Sequence, residues 1–76
     1  MTSKRSFTKI PALKRLAMRL REKRTERGWS QQELARRAKI SRVYLNKLET
    51  RKQDPRLSVV AKLAEALKVK IADLVD

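Results

Sequence analysis

Arg42, Val43, Asn46 and Lys47 stand close together, and side chains of these types can read a base pair from its edge. A guanidinium can donate two hydrogen bonds to guanine O6 and N7, a valine methyl can touch the thymine methyl, and an ammonium reaches a guanine or a phosphate. On a helix these residues, Asn46 with its forked amide included, share the face opposite Leu45 and Leu48, which must then point into a core. Ser41, Lys52 and Arg56 flank them as phosphate donors, with Arg51 near enough to help. Tyr44 lies beside them and either hydrogen-bonds a phosphate through its hydroxyl or fills space against the preceding helix. By itself such a face is ordinary solvated helix surface. It becomes a reading surface only if other elements hold it towards a major groove.

Those elements are legible. Ser30-Gln31-Gln32-Glu33 is a capping box, in which Ser30 accepts from the Glu33 amide and Glu33 reaches back to the Ser30 amide, so a helix starts at Gln31 and runs to about Ala38. Trp29 and Leu34 form its hydrophobic staple, which makes Trp29 a core anchor rather than a base-stacking group. Ile40-Ser41 repeats the device, with Ser41 as cap and Leu45 as staple partner, and starts a third helix at Arg42 that ends near Thr50. So short a connection between two helices imposes a steep crossing. Upstream, Pro11 suits a first helical turn; Leu13, Leu16, Ala17 and Leu20 follow at helical spacing and Gly28 is the stop, which predicts a first helix over 12–27. Downstream of Asp54-Pro55, Val60, Leu63, Ala64 and Leu67 predict a fourth helix over 57–68, and 69–76 forms a short fifth helix or turn.

One glycine and two prolines among good helix formers make the fold all-α: a compact five-helix bundle over residues 11–76, preceded by a flexible basic arm over 1–10. Lys4, Arg5 and Lys9 let the arm follow a nucleic-acid backbone or enter a minor groove, simple disorder being the alternative, while Phe7 and Ile10 are able to tie it to the body. Seventy-six residues suffice for one core. Without cysteine or histidine there are no disulfides and no ordinary zinc or iron site, and no metal or other cofactor is expected. The absence of a Gly-rich phosphate loop and of paired carboxylates argues further against an enzyme.

The net charge of +13 is a strong bias towards a polyanionic partner. Residues 1–27 carry +8 and 28–56 carry +5, whereas 57–76 are neutral. A basic body beside a neutral, apolar end suggests one surface for phosphates and another for a protein. The apolar residues Ile71, Leu74 and Val75 are the candidates for a homodimer interface. No apolar run is long enough to span a bilayer and no signal peptide is evident, so a cytoplasmic location, away from membranes, is expected.

At Gly28-Trp29-Ser30-Gln31-Gln32-Glu33-Leu34-Ala35, followed by Ile40-Ser41, Leu45, Leu48-Glu49 and Pro55, the chain resembles the Cro/repressor-type (Xre-like) helix-turn-helix family. The resemblance covers roughly 13–75. It implies a five-helix domain whose third helix is the recognition helix, palindromic operators on double-stranded DNA, and usually repression. It also implies base-reading roles for Arg42, Val43 and Lys47, a phosphate contact and a bracing role for Gln31, and a structural pair between Arg24 and Glu49. The chain departs from the family at Lys39 and Arg51, where Gly is common, at Arg56, where a capping Ser or Thr is common, and at Lys23, where helix 1 is usually apolar.

These readings converge on a sequence-specific transcriptional regulator, a repressor that binds as a homodimer with recognition helices about 34–36 Å apart. Two alternatives share the same domain: an antitoxin that also binds a toxin protein, and a restriction-modification controller. A membrane-surface peptide would leave the apolar stripe of the first helix unburied, and RNA's deep major groove excludes a helix.

Overall fold

The structure, a computed structural model, describes residues 11–75; the basic arm over 1–10 lies outside them. They form five helices and no strand: α1 (Pro11–Glu26), α2 (Gln31–Ala38), α3 (Arg42–Glu49), α4 (Leu57–Leu67) and α5 (Ile71–Val75). The starts of α2 and α3 fall where the serine caps put them. Ser30 Oγ accepts from the Glu33 amide and Ser41 Oγ from the Tyr44 amide, each at 3.0 Å. The other half of the capping box does not form. The Glu33 carboxylate turns instead to Arg36 and Arg37, 2.5 Å from each, because two guanidiniums on the next turn offer charge-assisted bonds that one neutral amide does not.

The helices contribute one fully buried large residue or more each: Leu20, Leu34, Leu45, Leu63, Leu67 and Leu74. Burying a leucine side chain stabilises by roughly 1.5–3 kcal/mol. α2 and α3 pack on each other, α1 packs against α3 and α5, and α4 against α2 and α5. Trp29 and Ile40, the residues ahead of the two caps, both lie half-buried against this core.

Four helices stop in the same way. Behind α1, α2, α3 and α4 the chain turns left-handed at Gly28, Lys39, Arg51 and Lys68, with φ between 60° and 70°. In each case the next amide bonds back five residues: Trp29 to Arg24, Ile40 to Ala35, Lys52 to Lys47 and Val69 to Ala64. These are Schellman turns, which glycine favours. Only the first carries one; the other three carry a cation in a conformation that costs an L-residue about 1 kcal/mol or more. Part of that is returned by the attraction of a positive side chain to a helix C-terminus, typically 0.3–1 kcal/mol.

α5 corrects one expectation. Leu74 is not available to a second copy: it is fully buried, while Ile71 is 39% exposed and Val75 half-buried. The Arg19 guanidinium donates to the Asp73 carbonyl (3.2 Å), and Asp73 Oδ2 accepts from the Lys70 amide (3.0 Å), which ties the short helix to α1 and caps its start. With α5 laid on α1, the domain buries Leu74 by itself.

Candidate nucleic-acid interface

α3 has eight residues, about 12 Å of helix, and its width suits a major groove of similar dimension. Its inner side is closed by Leu45 and Leu48 and by Glu49, all buried. Arg42, Val43, Asn46 and Lys47 are all exposed on the outer side, and Val43, at 56%, is an apolar side chain left in water. Ser41, Arg51, Lys52 and Arg56 are exposed around them. Ser41 uses an oxygen lone pair as the α3 cap, so its hydroxyl proton remains available to a phosphate. Arg56 occupies the cap position of α4 without a side-chain cap bond, as expected of a residue that cannot accept one. Among the described residues, none of these cations is in an ion pair.

Gln31 connects this surface to the interior. Its amide oxygen accepts from Asn46 Nδ2 (3.2 Å) and its amide nitrogen donates to Glu49 Oε1 (3.1 Å). Glu49 is held in turn by a forked contact from Arg24, Nε to Oε2 at 2.8 Å and Nη2 to Oε1 at 3.0 Å. The third arm of that guanidinium donates to the Trp29 carbonyl (2.9 Å) at the entry to α2. The Arg24 and Glu49 side chains are only 12% and 3% exposed. A buried, bidentate ion pair thus fixes the angle between α1, α2 and α3 and sets the amide of Gln31, which holds the amide of Asn46 at the outer side of α3. The Arg24–Glu49 pairing is as the resemblance implies. The resemblance also implies a bracing role for Gln31, and its partners are Asn46 and Glu49, one helical turn apart on α3.

Tyr44 takes the space-filling alternative. It lies half-buried against the core and its hydroxyl donates to the Asp54 carbonyl at 3.4 Å, bridging α3 to the loop that leads into α4. Trp29 is a packing residue as expected, with the guanidiniums of Arg37 and Arg27 over its ring at 4.3 Å and 5.7 Å. Arg27 also donates to the Leu67 carbonyl at the end of α4. No cluster of potential metal ligands occurs among the described residues, and no helix among them is long and apolar enough to cross a membrane.

A family model described as helix-turn-helix matches residues 20–74. The chain belongs to the helix-turn-helix family. Its type is the Cro/repressor one, and its fold is that of solved helix-turn-helix domains. The restriction-modification controller protein C.AhdI from Aeromonas hydrophila superposes with a TM-score of 0.78 at 35% identity, covering 82% of this chain and 94% of that one. The N-terminal DNA-binding domain of SinR from Bacillus subtilis gives 0.77 at 31%, covering 80% and 90%. The hypothetical transcription factor NHTF from Neisseria gives 0.83 at 35%, covering 86% and 73%. Among curated proteins, a Neisseria meningitidis hypothetical transcription factor is 41% identical over 54 residues, 71% of this chain. The chain spans about half the length of that relative.

Proposed function

We propose that this helix-turn-helix protein is a DNA-binding transcriptional regulator that places α3 in the major groove of a specific duplex site. The observation that carries the reading is the outer side of α3: exposed base-edge donors and one exposed valine, ringed by exposed cations with no ion-pair partner among the described residues and braced from behind by a buried ion pair. Arg42, Val43, Asn46 and Lys47 read bases; Ser41, Arg51, Lys52 and Arg56 hold phosphates. Gln31 keeps one amide hydrogen for a phosphate while its other contacts brace Asn46. The hydroxyl of Tyr44 is spent on Asp54 and is not assigned a phosphate.

The active form in this reading is a cytoplasmic homodimer that represses from a palindromic operator. Its interface uses the neutral C-terminal end, with Ile71 and Val75 as the apolar contacts that remain once Leu74 is counted in the core. The restriction-modification controller role is the second reading, supported by similarity to C.AhdI over 94% of that protein's chain. Relatives named as transcription factors support the broader class.

Two substitutions separate base reading from phosphate binding. Arg42→Ala lowers affinity for the selected site by about 1–3 kcal/mol and relaxes preference at one base pair; Lys52→Ala weakens all sequences alike and reduces the salt slope by about 1. Titration of both variants against specific and random duplexes checks this. Equal losses on the two duplexes for Arg42→Ala contradict the base-reading role.

A further inference from the structure

A second cationic surface runs from the α2–α3 turn to α4. Between the C-terminal ends of α2 and α4 is a cleft of about 510 Å³ whose rim carries Arg36, Arg37, Lys39, Lys62 and Lys68 against one carboxylate, Glu65. The methyl groups of Ala38 and Ala66 also line it. The two arginines are already held, both by Glu33 and Arg37 also by the Trp29 ring, so they form a fixed wall. Lys39, Lys62 and Lys68 are exposed and have no ion-pair partner among the described residues.

Two of those lysines sit in left-handed backbone, where glycine would be easier. A cation placed anywhere in the last turn of α2 or α4 would satisfy the helix dipole without that strain. Both of these strained lysines line this one cleft, while the third strained cation, Arg51, lies elsewhere, behind α3. We propose that the cleft is a docking site for an acidic segment of a partner protein. The proposal rests on the DNA-binding reading only for where the duplex lies: Gln31 is at the far end of α2, about 10 Å along the helix axis from Ala38, and Lys39 is two residues before Ser41, so with duplex bound the peptide is assigned to the α4 side of the cleft, at Lys62 and Lys68. The recess decides the class of occupant. A convex duplex can touch only the rim, whereas carboxylate side chains of a peptide reach in between the lysines while its aliphatic carbons meet the alanine methyls.

The test uses the full chain and a fluorescein-labelled peptide of about eight alternating aspartate, glutamate and leucine residues. Anisotropy is measured with free protein and with protein saturated by its selected duplex. The expected result is peptide binding in both, weakened about tenfold or more in Lys62→Glu/Lys68→Glu and less in Lys62→Gln/Lys68→Gln, with duplex affinity changed less than about threefold. Circular dichroism verifies that both variants keep their helices. Displacement of the peptide by duplex, or unchanged peptide affinity in the double variants, overturns the proposal. So does binding of a second duplex in place of peptide that the double variants abolish, which would make the cleft a nucleic-acid surface. If no duplex binds specifically while the peptide result holds, the DNA reading fails and the docking site stands.

Discussion

At its first residue α2 is wired into the body of the protein through hydrogen bonds that end on a buried ion pair, whereas behind its last residue the chain makes a strained turn at Lys39, which has no ion-pair partner among the described residues. Both ends are polar, and both are rich in arginine or lysine within a turn or two. They differ in whether the polar groups are satisfied internally. The satisfied end is a positioning device, since each amide and carboxylate there has one arrangement that meets all its partners. The unsatisfied end leaves its charge for something outside the chain. A high density of cations therefore says little until the internal partners have been counted.

The contrast breaks most sharply at Glu49. Glu49→Ala leaves Arg24 largely buried beside no carboxylate, so a loss of about 3–5 kcal/mol is expected in urea unfolding. The same variant frees Gln31 and Asn46, and what folds of it discriminates less between operator and random duplex. A loss under about 1 kcal/mol, the range of an exposed pair, would mean that α2 is not anchored there. At the other end the sign reverses. Lys39→Gly relieves left-handed strain and raises the stability of the fold by up to about 1 kcal/mol, less what the helix C-terminus loses with its cation. Thermal melting checks it, and a fall in midpoint would show that the lysine side chain has a structural partner.

The smallest effect concerns Glu33. Hydrogen bonds from Arg36 and then Arg37 hold its carboxyl below the usual glutamate range. A depressed folded-state pKa favours the ionised form on folding, so this contribution is present at neutral pH and is lost as pH falls through the acid range below the ordinary value of about 4.3. Glu33→Gln removes that component: between pH 6 and 3, roughly, its melting temperature falls less than that of the parent. Identical pH profiles would mean that the exposed pairs are screened to nothing.

Much of this fold could be read before any coordinates. Ser30 and Ser41 mark the starts of α2 and α3 because a serine oxygen is the natural acceptor for an orphan amide at a helix start, and Gly28 marks a stop because it turns left-handed freely. Four features were hidden. The glutamate of the capping box had a choice between an amide and two guanidiniums that spacing does not rank. Ile71, Leu74 and Val75 are alike in type, and only packing decides that Leu74 goes inside. At Lys68 nothing in the residue type announces a left-handed turn; the helix simply ends there, and the resemblance, which marks departures at Lys39 and Arg51, marks none at Lys68. That Arg42, Val43, Asn46 and Lys47 face outward was legible because Leu45 and Leu48 fix which side of α3 enters the core, whereas the partners of Gln31 depend on how two helices cross.

The central claim is that α3 reads sequence. Selection from a random duplex pool, followed by titration of the selected site and of random DNA at two salt concentrations, tests it most directly. The account predicts a two-fold-symmetric site bound at least about a thousandfold more tightly than random duplex. Uniform binding with a steep salt dependence and no enriched sequence would contradict it, and would leave the basic surface as a general neutraliser of phosphates.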